Sequence, residues 1–331
     1  MVTKQKTKKR KIKKKVVVIG GGTGTYTVLT GLKKYPIDLS AVISMCDSGG
    51  STGRLRKELG VLPPGDIRRA ILALSDLPFA QNTLEELFDF RFKKGQNLRN
   101  HSVGNILLAA LTQITGSMDR AIEEAARILQ TTGDVCPVTL DKTNLVAILE
   151  DGTRIFGETN IDRRQVKPKI PIDKVYLNPK ATIYKKASVA IEKADYIILC
   201  PGDLYSSLIP VLLVKGVVEA IDKSKADIVY IVNLMTKKGE TDNFKASDFV
   251  KEVNKYLCQT SNCLKYVLVN KNLNHSRSKV RKWYKKYGNI PVVNDLRSNN
   301  EYEVIAKDFL GIATFFRHDP VKLAKTIQSL A

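Results

Sequence analysis

Residues 16–32 read VVVIGGGTGTYTVLTGL, and residues 45–69 read MCDSGGSTGRLRKELGVLPPGDIRR. The first stretch is a β-branched run, a glycine cluster and a helix-compatible run in succession, the pattern of a strand that turns sharply into a helix. The first N–H groups of a helix lack intrahelical partners, and that end carries partial positive charge. Such a turn can therefore cradle a phosphate where glycine lets the backbone come close. A second apolar run, SAVISM at 40–45, follows the helical pattern TYTVLTGLKKY, so residues 15–45 form a βαβ unit. The second glycine-rich stretch, carrying Asp47, Arg54 and Arg56, comes at the end of that second strand. A plain dinucleotide-binding unit has no need of it.

Working outward, strand and helix patterns alternate through most of the chain, which predicts an α/β, Rossmann-like three-layer sandwich with a mostly parallel sheet. Asp66 is placed to cap a helix in IRRAILAL, and further helices are predicted in SVGNILLAALTQI and MDRAIEEAARIL. Between 135 and 160 the pattern changes. CPVTL and NLVAILEDGTRIFGE read as antiparallel strands, with Asp151-Gly152 as a hairpin turn, and form a small antiparallel insertion. Parallel alternation resumes with ADYIILCPGD, a helix over 206–221, ADIVYIVNLM, a helix in SDFVKEVNKYL, and CLKYVLVN. A basic helix in SRSKVRKWYKKYG and a last helix begun by Asp319-Pro320 complete the pattern.

The chain has 331 residues and 43% hydrophobic content, enough for one large core. Lys and Arg number 54 against 33 Asp and Glu, a net charge of +21 that draws anionic partners. Residues 1–15 hold eight lysines and Arg10 with no acid. A like-charged block of this kind does not pack, so residues 1–14 read as a disordered basic tail, open to a polyanion contact, and 15–331 as a single domain. The longest apolar run, SLIPVLLVKGVVEAI, is broken by Pro210 and Lys215 and is no membrane span. VVVIGGGTG is too short and glycine-rich for a secretory signal. Five cysteines with no C-x-x-C pair fit reduced thiols, and together these features predict a cytoplasmic protein.

Several constellations carry chemistry. Gly20, Gly21, Gly22, Thr23, Gly24 and Thr25 form the phosphate cradle; the spacing is G-x-G-x-G, with Thr25 where a dinucleotide fingerprint has glycine, and no Walker lysine follows. Asp47, followed by Ser48, Gly49 and Gly50, can accept from a ribose hydroxyl, hold a divalent cation, or simply form the turn. It is the only metal-ligand candidate. Arg54, Arg56, Arg68 and Arg69 offer phosphate forks, of which helical spacing turns at least two to water. His101, at the mouth of an apolar helix with Ser102 and Asn105, can act on a ligand or cap the helix. Gly202, Asp203, Ser206 and Ser207 mark a second strand–glycine–helix junction, and Asn233, Thr236, Gly239, Glu240 and Thr241 a third. Several polar junctions at strand ends point to one composite crevice.

Taken in order, GGGTG, CDSGGSTGRLRKELGVLPPGDIRRAILALS, NHSVGNILLAAL, LVAILEDGTRIFGETNI, PGDLYSSLIPVLLVKGV and VNLMTKKGETD closely resemble the gluconeogenesis factor family, a branch of the 2-phospho-L-lactate transferase (CofD-like) superfamily. The resemblance implies a Rossmann-like fold that binds nucleotide sugars such as UDP-N-acetylglucosamine, with a role in cell shape and envelope synthesis under gluconeogenic growth. It is compatible with a homo-oligomer. The transferase branch instead moves a phospholactyl-type group onto a deazaflavin acceptor with a divalent metal, so Mg²⁺ is the cofactor implied if this chain were a transferase. Three departures stand out. Asp47-Ser48 replaces the family's Asp-Asp, Asn100 replaces a glycine, and CPGD replaces GPGS, so Asp203 brings a negative charge to a presumed anion site.

Overall fold

The computed structural model describes residues 13–78, 82–164, 170–258, 263–271, 282, 285, 288–311 and 316–330. Tail residues 1–12, and nearly all of the basic helix predicted within 276–288, lie outside them. Lys14 already belongs to the folded body, because its carbonyl accepts a hydrogen bond from Asp38 N–H at 2.9 Å.

The opening stretch forms β1 (Lys15–Gly20), α1 (Gly22–Leu32) and β2 (Asp38–Ile43), with β1 and β2 parallel. α2 (Gly50–Leu59), α3 (Gly65–Leu74), α4 (Asn82–Asp89), α5 (Val103–Thr115) and α6 (Met118–Ile128) lead to β3 (Asp134–Pro137). An inserted antiparallel sheet follows, made of β4 (Asn144–Leu149), β5 (Arg154–Phe156) and β6 (Ile172–Asn178), with α7 (Glu158–Asp162) between β5 and β6. α8 (Lys185–Glu192) returns the chain to the main sheet at β7 (Tyr196–Leu199). A π-helical turn (Leu204–Leu208), α9 (Ile209–Leu212), α10 (Val217–Ser224), β8 (Asp227–Ile231), α11 (Ala246–Leu257), β9 (Leu264–Asn270), β10 (Glu303–Lys307) and α12 (Pro320–Gln328) finish it.

The seven-stranded sheet has the order β10-β9-β8-β7-β1-β2-β3, parallel throughout. Its inner strands are apolar on both faces. Val16, Val17, Val18 and Ile19 are each at most 2% exposed, and each such side chain contributes about 1.5–3 kcal/mol on burial. From β1 the chain runs outward through β2 to β3, and from β7 outward the other way to β10. The direction of winding therefore reverses between β1 and β7, and the loops leaving their carboxyl ends diverge to opposite sides. In an open α/β sheet that is where a crevice forms.

Four sequence expectations need correction. CPVTL does not join the antiparallel insertion; β3 pairs parallel with β2, because the helices between them form a crossover. The helix predicted over 206–221 is interrupted at Leu213–Gly216, where Lys215 pairs with Ala181 and Ile183 and Gly216 takes φ +98. Asp66 does not cap α3, which begins at Gly65 after Pro64; it lies inside the first turn, with its carboxylate against the Gly21 backbone. None of Arg54, Arg56, Arg68 and Arg69 is exposed, since neighbouring loops cover the helix faces on which they lie.

Candidate functional site

A cleft of about 490 Å³ opens at the β1/β7 reversal. Gly21, Gly22, Thr23 and Gly24 form its floor at the α1 N-terminus. At Gly24 a Cβ would lie 1.6 Å from the Pro201 carbonyl oxygen, so the two loops touch backbone to backbone. Gly22 takes φ +66, and a Cβ there would meet only Arg69 Nη1, at 4.0 Å. Gly22, Thr23 and Gly24 occupy the first turn of α1, where backbone N–H groups precede the first intrahelical bond, and all three line the cleft beside Asp66. Gly20 and Thr25 support this floor from beneath, and the Thr25 hydroxyl donates to the Gly21 carbonyl at 3.0 Å.

The loop after β2 forms one wall. Asp47 Oδ1 accepts from Gly49 N–H at 2.9 Å, the turn geometry that an aspartate before two glycines favours. Asp47, Gly49 and Gly50 line the cleft, whereas Ser48 turns outward to accept from Thr159 N–H at 3.0 Å and so fastens the loop to α7. Arg56 donates to the carbonyls of Asp47 and Thr143. Arg54 donates to the carbonyls of Asn97 and Arg99 and does not line the cleft. The arginines that do are Arg68, Arg69, Arg91 and Arg163. Arg69 reaches Thr23 Oγ1 at 3.4 Å, while Arg68 is ion-paired with Asp89. His101 sits one layer back, its Nδ1 at 3.0 Å from Ser51 Oγ, and burial lowers its pKa. Asn105 also donates to Ser51 Oγ, at 3.2 Å, and lines the cleft. Its Oδ1 and Arg68 Nε are buried there without partners among the described residues.

The opposite wall is the β7 loop. Gly202, Asp203, Ser206 and Ser207 line the cleft, and Asn233 pins the loop by accepting from Gly202 N–H at 3.2 Å and donating to Gly202 O at 2.6 Å. A second pocket of about 220 Å³ lies behind this loop, lined by Asn233, Thr236, Lys237, Asn289, Phe316 and His318 among others. Thr236 is occupied structurally, its hydroxyl accepting from Ile290 N–H at 3.0 Å. Burial pushes His318 down to about 4, so its imidazole is neutral. Its Nε2 is buried without a hydrogen-bond partner among the described residues.

Sequence reasoning missed Glu158, Thr159 and Asp162, on α7, and Arg163, just after it, all of which line the cleft. They follow a strand of the antiparallel insertion rather than one of the parallel sheet, so the pattern of parallel strand ends did not mark them. Burial and then the charge of Asp47 push Asp66 up to about 6 and Glu158 up to about 7. Asp47, Asp66 and Glu158 are cleft carboxylates of the kind that could hold Mg²⁺, an ion bound by one or two carboxylates together with ligand phosphates.

Comparison with known proteins gives the family. The family profile described as "2-phospho-L-lactate transferase CofD" matches residues 16–310. The chain is 46% identical over 242 residues to the gluconeogenesis factor of Halalkalibacterium halodurans, covering 73% of each chain. It is 42% identical over 246 residues to that of Bacillus subtilis, covering 74% of this chain and 75% of the relative. A crystal structure of a UPF0052-family protein from Bacillus halodurans superposes with a TM-score of 0.87 at 38% identity, over 96% of this chain and 99% of that one.

Proposed function

We propose, from the premise that this chain belongs to the gluconeogenesis-factor (UPF0052) family of CofD-like proteins, that its crevice binds a nucleotide sugar of the UDP-N-acetylglucosamine type and that the protein acts as a cytoplasmic regulator of cell shape and envelope synthesis. One observation carries the ligand class. Thr23, Gly24, Gly202 and Asp203 line both pockets, so a diphosphate on the Thr23 and Gly24 N–H groups has a pocket on either side. One pocket accepts a nucleoside and the other a sugar. Arg69 supplies a guanidinium fork to the phosphates, and Asp47 accepts from hydroxyls. The test is equilibrium dialysis of UDP-N-acetylglucosamine against UDP and N-acetylglucosamine separately. The intact nucleotide sugar is expected to bind more tightly than either half, and UDP binding as tightly as the whole would contradict the two-pocket arrangement.

The carboxylate set at Asp47, Asp66 and Glu158 favours one second reading, a phospholactyl-type transfer onto a deazaflavin acceptor. Mg²⁺ held there would polarise a phosphoryl oxygen. Product formed with Mg²⁺ and a deazaflavin acceptor would establish that activity, and none at saturating acceptor would exclude it.

A further inference from the structure

Between the two pockets, three carboxylates from distant parts of the chain converge. Asp162 ends α7, Asp203 follows β7 and Glu240 follows β8, and one oxygen from each lies within 4.8 Å of the others. Three carboxylates at that spacing form the oxygen cluster that a divalent cation occupies. Here an ammonium is already in place. Lys237 Nζ lies 2.5 Å from Asp162 Oδ1 and 3.4 Å from Asp203 Oδ2. Glu240 is held separately, one oxygen accepting from Tyr205 N–H at 3.1 Å and the other 2.9 Å from the Ser206 hydroxyl.

We propose that Lys237 is the resident cation of this crevice: its ammonium fills a carboxylate cluster that would otherwise take a divalent ion, and so sets the charge of the wall that both pockets share. The sequence departure at Asp203 then has a physical counterpart. A carboxylate in the loop that touches the phosphate cradle would repel a diphosphate, and the tethered ammonium of Lys237 offsets it. Burial acts against that ammonium, but Asp203 and Asp162 hold its pKa above the ordinary lysine value. Burial, and then the charge of Asp203, push the Glu240 carboxyl up to about 8. A lysine differs from a bound ion in one respect that matters here: chelators do not remove it. Anion binding at this wall is therefore indifferent to divalent ions.

The inference rests on the nucleotide-sugar reading for one arm of its test only. In the first arm, Mn²⁺ is titrated into the full chain and free ion is followed by electron paramagnetic resonance. Lys237→Met is expected to bind one Mn²⁺ more per chain than wild type, and Lys237→Met/Asp203→Ser to lose it. Wild type and Lys237→Met binding the same number overturns the proposal. In the second arm, UDP-N-acetylglucosamine is titrated calorimetrically in the presence of EDTA. Lys237→Met is expected to weaken binding about tenfold or more, equivalent to about 1.4 kcal/mol, and Asp203→Ser in the same chain to restore most of it. Unchanged affinity in Lys237→Met overturns the proposal. If wild type binds no nucleotide sugar, the functional reading fails while the Mn²⁺ arm still decides this one. If Lys237→Met does not fold, Lys237→Gln, which keeps a donor to Asp162, enters both arms with the same expected outcomes.

Discussion

At the scale of single residues, two glycines two positions apart in one loop do different work. Gly24 is a packing requirement, because its missing side chain is what lets α1 meet the Pro201 carbonyl. Gly22 is a conformational requirement, at φ +66, where a Cβ would meet only Arg69 Nη1. Gly24→Ala should therefore cost well over about 2 kcal/mol, since backbone rather than a flexible side chain must move. Gly22→Ala should cost about 1–2 kcal/mol for left-handed strain, remain folded, and lose most of its nucleotide-sugar affinity. Thermal melts beside calorimetry on both variants check this. A Gly22→Ala protein with wild-type affinity would remove the phosphate from this loop. The sequence marked both glycines as cradle residues but not the division of labour, which depends on a contact with a loop almost 180 residues away in the chain. For the same reason a β-branched residue at position 22, which the glycine pattern alone makes an attractive probe, is the poorer choice: it adds strain to bulk.

At the scale of elements, the parallel core was legible because β1, β2, β7, β8 and β9 are short β-branched runs between glycine-rich and helical stretches. β10 was not: EVIAK is only partly buried and looks like any surface segment. β6, in IDKVYLN, hid for a similar reason, since its charged residues face outward on the edge of a three-stranded sheet. The candidate site was half legible. Residues that follow strands of the parallel sheet were found, because the ends of those strands carry the crevice. Those on α7 were not, because a short helix in an insertion has no sequence signal tying it to a distant strand end. The loops that make the site are held by side chains rather than by regular structure, and Asn233 is the clearest instance. Asn233→Ala removes both hydrogen bonds to Gly202 and should lower stability by about 1–3 kcal/mol and weaken ligand binding with it. Urea unfolding and a binding isotherm on one sample check both effects. Loss of neither would mean that the Gly202 loop is held by its contact with Gly24 alone.

At the scale of the whole molecule, the crevice stores protons. Asp66, Glu158 and Glu240 stand at about 6, about 7 and about 8, each raised first by burial, against ordinary values of 3.8 for Asp and 4.5 for Glu. Between the ordinary and raised values the native state binds more protons than the unfolded chain, so stability falls as pH rises through that window, by up to about 1.4 kcal/mol per pH unit for each group. Ligand-free protein should therefore melt at a lower temperature at pH 8 than at pH 6. Glu240→Gln should flatten the upper part of the slope, and an unchanged slope in that variant would show that Glu240 is ionised in the native protein. The same crevice is set where the sheet reverses direction, with a pocket on each side of one phosphate cradle, and that placement is the central claim. Its most direct test is a co-crystal structure with UDP-N-acetylglucosamine. The expected result is a phosphate oxygen within about 3 Å of the Thr23 or Gly24 N–H, the normal hydrogen-bond distance, with nucleoside and sugar in separate pockets. A saturating ligand bound elsewhere, or both halves in one pocket with the cradle untouched, would contradict it.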